Sequence, residues 1–135
     1  MERGAIRDRG IAAQLRNFKG LRWGNITPTD IDGIVEFRDK AYVIFELKYG
    51  VAEVPYGQRL AIDRMCTDLE KANKKVLGMI ARHSTPAPGD IDAASACVVE
   101  IWDRKVDTHW RPPVKPLTVL EAINTFLQHN GILYD

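Results

Sequence analysis

Cysteine is scarce in this chain: Cys66 and Cys97 are the two in 135 residues, and they form no C-x-x-C spacing. That leaves no disulfide framework and no cysteine-based zinc site, only two small apolar residues suited to a reducing compartment. Long apolar runs are missing as well. Nothing approaches the ~20 residues needed to cross a bilayer, and no signal-type segment opens the chain. The expectation is a soluble, cytoplasmic protein with no membrane partner. Charge of one sign is also absent. The formal net charge of +1 gives no overall basic field, so any nucleic-acid contact has to come from a local patch. His83, His109 and His129 are scattered without zinc spacing, which suits surface or capping roles. No G-x-x-x-x-G-K-[ST], G-x-G-x-x-G or G-x-S-x-G is found, so nucleotide-binding and hydrolase-elbow readings have no support.

What is present is ordinary globular composition, 45% hydrophobic and 27% charged, in a length that makes one domain with a real core. The first twenty residues read as a helix, with Ile11, Leu15 and Phe18 on one stripe and Gly20 to end it. Six cations up to Arg22, among them Arg3, Arg7 and Arg9, stand against Glu2 and Asp8. They form either a solvated face or one that contacts nucleic-acid phosphates.

Two strands follow, "DGIVEF" and "YVIFELK", joined through the polar "RDKA" as an antiparallel hairpin. A loop with Pro55 and Gly57 leads to a helix from Gln58 to about Asn73. Its inner stripe is Gln58, Ile62, Met65, Cys66 and Leu69, with Arg59, Asp63, Glu70 and Lys71 elsewhere. "KKVLGMIARH" and "ACVVEIW" read as strands, and "RPPVKP" as extended linker. Thr118 and Glu121 make a capping box for a last helix with a Leu120, Ile123, Phe126 and Leu127 stripe, closed by Gly131. The predicted class is α/β, a mixed central sheet flanked by helices in a single domain.

One strand carries a conflict. The apolar run Tyr42-Val43-Ile44-Phe45 continues into Glu46 and Lys48, although charged side chains are rarely buried without a partner. Alternation puts Glu46 and Lys48 on one face, and the hairpin lets Asp32 face Glu46. Asp30 has the same parity as Asp32, so alternation does not separate them. Two converging carboxylates beside an ammonium suit a Mg²⁺ or Mn²⁺ site for phosphodiester chemistry. A simpler explanation is a sheet-edge ion pair between Glu46 and Lys48, which adds little when exposed.

The spacing D-x(13)-E-L-K, from Asp32 through Glu46 and Lys48, resembles the core of the PD-(D/E)xK nuclease superfamily. That superfamily includes restriction endonucleases and archaeal Holliday-junction resolvases. The resemblance covers about residues 1–82, and residues 96–135 are additions to it. It implies a restriction-endonuclease-like α-β-β-β-α-β core and a metal-dependent DNA nuclease, in small members often a homodimer, that leaves a 5′-phosphate. It also implies Asp32 and Glu46 as metal ligands, with the Leu47 backbone carbonyl as a third and Asp30 as the alternative aspartate. Lys48 would be catalytic, and Gln58 resembles the glutamine that opens the following helix. Glu2 resembles an acidic residue some branches add. The motif's own proline-aspartate pair is broken here, since Thr29 separates Pro28 from Asp30. "PGDIDAASACVVEIW" echoes the pattern, but Trp102 stands where a lysine would follow Glu100, so Asp90 and Asp92 read as an acidic turn. The rival function is a non-catalytic DNA-binding or assembly protein that kept the fold.

Overall fold

The computed structural model describes residues 17–134. The expected first helix, with Glu2, Arg3, Arg7 and Arg9, lies outside them apart from its last few residues. Residues 17–20 are not helical: Asn17 Oδ1 accepts the Lys19 N–H at 3.0 Å, an Asx arrangement that competes with helix.

The described chain runs β1 (Gly33–Phe37), β2 (Ala41–Tyr49), α1 (Tyr56–Lys71) and β3 (Lys75–His83). A 3₁₀ turn at Ala93–Ser95 precedes β4 (Cys97–Trp102), β5 (Trp110–Arg111) and α2 (Val119–Asn130). The sheet is mixed, in the order β1-β2-β3-β4-β5. β2 and β3 are parallel because α1 carries the chain back between them, and the other neighbours are antiparallel. The α/β class is therefore as expected. Two strands precede α1 among the described residues, where the resemblance implies three. β5 is an addition that two residues of sequence pattern could not announce.

The two faces of the sheet carry two cores. On one, Ile62 and Cys66 of α1 pack on Ile44, Ile80, Trp102 and Trp110. On the other, Val119 and Ala122 of α2 pack on Val43, Leu77, Met79, Ala81 and Val98. Ile123, Phe126 and Leu127 of the expected α2 stripe pack as read, but Leu120 is exposed, and Val119 and Ala122 are buried beside the other three. The capping box at Thr118 and Glu121 forms as read, and Gly131 closes the helix at φ +62°.

Two glycines allow close approaches. At Gly78 an added Cβ would lie 2.8 Å from Cys66 Sγ and 3.0 Å from Trp102 Cβ, so the bare backbone lets α1 sit down on β3. Cys66 is filler in that contact, its thiol pushed up to about 12 by burial and then by Asp63 and Glu70. At Gly33 an added Cβ would meet the Phe45 ring at 2.2 Å, so that ring lies across the start of β1.

One irregularity matters for the site. Between Ile80 and Ala81 the β3–β4 register shifts by one, leaving Val99 as the extra residue. The bulge lets Val98 join the α2-side core while Glu100, two residues on, stands opposite Ile80 on the α1 side.

Candidate active site

The hairpin register Gly33↔Phe45 continues outward to set Asp32 beside Glu46. β1 pairs with β2 only as far as Phe45, so Glu46 lies just past the hairpin ladder, yet it is buried at 3% exposure and is not part of an exposed edge. That removes the sheet-edge ion pair as a sufficient explanation. Lys48 does pair with it, Nζ to Oε1 at 3.4 Å, but the pair is mostly covered.

The residues singled out reach this point from three places: the lead into β1, the strand β2 and the first turn of α1. Asp32, just before β1, accepts the Leu47 N–H on Oδ2 at 2.7 Å. Gln58, in the first turn of α1, donates Nε2 to Glu46 Oε1 at 3.2 Å and to the Asp30 backbone carbonyl at 3.1 Å. The structure thus brings Asp32, Glu46, Lys48 and Gln58 together. Asp30 joins through its backbone, and Leu47 joins through its N–H, a different group from the carbonyl the resemblance implies.

The electrostatics are unbalanced. Glu46 Oε2 is buried without a hydrogen-bond partner, as is Gln58 Oε1. Burial, then the adjacent Asp32, raises the Glu46 carboxyl to about 7, and Lys48 offsets this only in part. A divalent cation fits such a place. It would ligate the orphaned oxygen, relieve the repulsion between the carboxylates, and find hard oxygen donors. No group of three or more His, Cys, Asp or Glu side chains gathers among the described residues. A two-carboxylate set is nonetheless what Mg²⁺ commonly uses, since it keeps several waters.

Cations line the same end of the sheet. Lys48 and Arg82 are register partners on β2 and β3, so they share a face. Arg82 Nη1 donates to the carbonyls of Gly50 at 3.0 Å and Ala52 at 2.6 Å, fixing the loop after β2.

The remaining candidates separate. Asp92 caps the 3₁₀ turn and accepts from Ser95 Oγ at 2.6 Å, in keeping with an acidic turn. His129 is exposed, and His83 Nδ1 accepts the Thr85 N–H at 3.2 Å. His109 departs from a surface role: its Nδ1 lies 2.9 Å from Asp63 Oδ1, which also accepts Trp102 Nε1 at 2.7 Å. Arg59 pairs with Glu100 and lies over the Trp110 ring, 5.8 Å from its centroid. Trp102 and Trp110 are core residues, and Trp23 is exposed. The sequence pattern sets Arg59 and Asp63 off the inner apolar stripe of the helix without giving them a partner. The signal that points to one is that residues 56, 59, 60 and 63 share helical spacing, a second stripe beside the apolar one.

No protein-family model, curated protein or solved structure matches the chain. No helix among the described residues is long and apolar enough to cross a membrane.

Proposed function

We propose that this chain is a metal-dependent DNA nuclease of PD-(D/E)xK type that hydrolyses phosphodiester bonds. The observation that carries the reading is the buried, partnerless Glu46 Oε2 beside Asp32, with Lys48 and Gln58 holding the other oxygen of the same carboxylate. Asp32 and Glu46 would hold Mg²⁺ or Mn²⁺, which supplies Lewis-acid polarisation of the phosphoryl group and a more acidic bound water.

The protein's own groups do the rest. Leu47 N–H orients Asp32, and Gln58 orients Glu46, so both carboxylates are set before substrate arrives. Lys48 keeps an ammonium beside them that can steady charge building on the phosphate. In the overall hydrolysis a water oxygen bonds to phosphorus as the P–O3′ bond breaks, leaving a 5′-phosphate and a 3′-hydroxyl. A homodimer that addresses two strands, as a junction-selective enzyme does, belongs to the same reading.

The test is cleavage of labelled linear, nicked, flapped and four-way DNA with Mn²⁺ or EDTA, alongside Mn²⁺ calorimetry. Wild type should bind Mn²⁺ and cut, Glu46→Ala should do neither, and Lys48→Met should fold and cut roughly 10²–10³-fold more slowly. A folded wild type that neither binds Mn²⁺ nor cuts any substrate would make the chain a binding module on a nuclease-like fold.

A further inference from the structure

The second stripe of α1 is half-covered beyond Tyr56, which stands exposed at its start. Tyr56, Arg59 and Asp63 turn toward β4, β5 and the loop between them, and with Glu100, Thr108 and Trp110 they line a cavity of about 400 Å³. Its walls are tied down from both sides. Arg59 is held between the Glu100 carboxylate and the Trp110 ring. Asp63 anchors the opposite loop through Trp102 Nε1 and His109 Nδ1. His109 sits at φ +65°, a left-handed backbone that a non-glycine residue adopts at a cost, so the loop is held in place by those contacts.

The cavity lies across the first turn of α1 from the candidate active site. Glu46 pairs in register with Ile80, and Ile80 with Glu100, so the three side chains stand in one row on the α1 face. Two inter-strand spacings put Glu100 about 10 Å from Glu46. Gln58, which holds Glu46, and Arg59, which holds Glu100, are consecutive residues in the first turn of the helix. A strand whose phosphate lies at Glu46 has its neighbouring nucleotide within reach of this cavity.

The chemistry of the walls selects which part of that nucleotide enters. Two carboxylates, Asp63 and Glu100, oppose a phosphate. Carboxylates accept from the amino groups of bases, and a guanidinium donates to ring nitrogens and carbonyls. At the rim the Tyr56 ring is 77% exposed and free to stack. We propose that this cavity receives one unstacked, amino-bearing base of single-stranded or frayed DNA, stacked on Tyr56 with its edge toward Glu100 and Arg59. The inference rests on the nuclease reading for its choice of DNA, but its test does not require cutting.

Binding of fluorescein-labelled oligo(dA), oligo(dC) and oligo(dT), and of a blunt duplex, would be measured by anisotropy in EDTA. Wild type should prefer oligo(dA) and oligo(dC) over oligo(dT). Tyr56→Ala should weaken single-strand binding about tenfold, within the range for loss of one base stack, and leave the duplex unchanged. Tyr56→Phe, which keeps the ring, should bind like wild type. The exposed position makes a folding defect in these variants a poor explanation, and circular dichroism checks it. Equal affinity of wild type and Tyr56→Ala for every single strand overturns the proposal, as does an equal loss on duplex and single strand. Mn²⁺-dependent cutting with no Tyr56 effect would leave the nuclease standing without the base site. A Tyr56 effect without Mn²⁺ binding would leave the base site standing in a non-catalytic protein.

Discussion

In the absence of a cation the Glu46 carboxyl holds its proton up to about pH 7, against an ordinary value of 4.5. The folded state therefore binds that proton more tightly than the unfolded chain does. Stability from this group is fully present below about pH 4.5 and is lost as the pH rises to about 7. Urea midpoints in EDTA at pH 5 and pH 8 should show the decline for wild type, and Glu46→Gln should remove most of it. Saturating Mn²⁺ at pH 8 should restore wild type and leave Glu46→Gln where it was. Parallel pH slopes for the two proteins would mean that Glu46 does not titrate in this window. This residue was the most legible feature of the sequence, because a charge ending an apolar strand breaks a local rule. Such breaks collect where function overrides packing.

At the scale of elements, the period-two pattern of "YVIFELK" and the short polar turn were enough to pair Asp32 with Glu46, since a short hairpin leaves few registers. The capping box and Gly131 marked the last helix for similar local reasons. Less was legible where partners are distant in sequence. Arg59 and Asp63 have no visible partner until β4 and β5 are set opposite them. The bulge at Val99 depends on a strand pairing that the pattern of β4 alone does not reveal. Leu120 fits the apolar stripe by spacing, yet it lies at the stripe's outer margin, and the smaller Val119 and Ala122 meet the sheet with Ile123 and Phe126. Gly78 is by propensity a poor residue for the interior of β3, and its role is clearance for α1. Gly78→Ala should cost about 1–3 kcal/mol in urea unfolding, because Cys66 and Trp102 would both have to shift. An unchanged midpoint would show that the α1–β3 contact relaxes freely.

For the molecule as a whole, the decisive fact is that one sheet serves both cores. Ile44 and Ile80 face α1 while Val43, Met79 and Ala81, on the same two strands, face α2. Neither layer can leave without exposing the back of the other. Unfolding should then be a single transition, with tryptophan fluorescence, reporting Trp102 and Trp110 beneath α1, coinciding with far-ultraviolet circular dichroism across a urea titration. Two separated midpoints would show that the α2 layer unfolds on its own.

Helix α1 starts at the carboxylates and continues along the cavity wall. A rigid rod of 16 residues has few independent ways to move. Any tilt that improves the fit of an occupant beside Tyr56 also shifts Gln58, and with it the oxygen it holds on Glu46. Thermodynamics makes such a lever symmetrical: whatever factor one ligand adds to the affinity of the other is returned in equal measure.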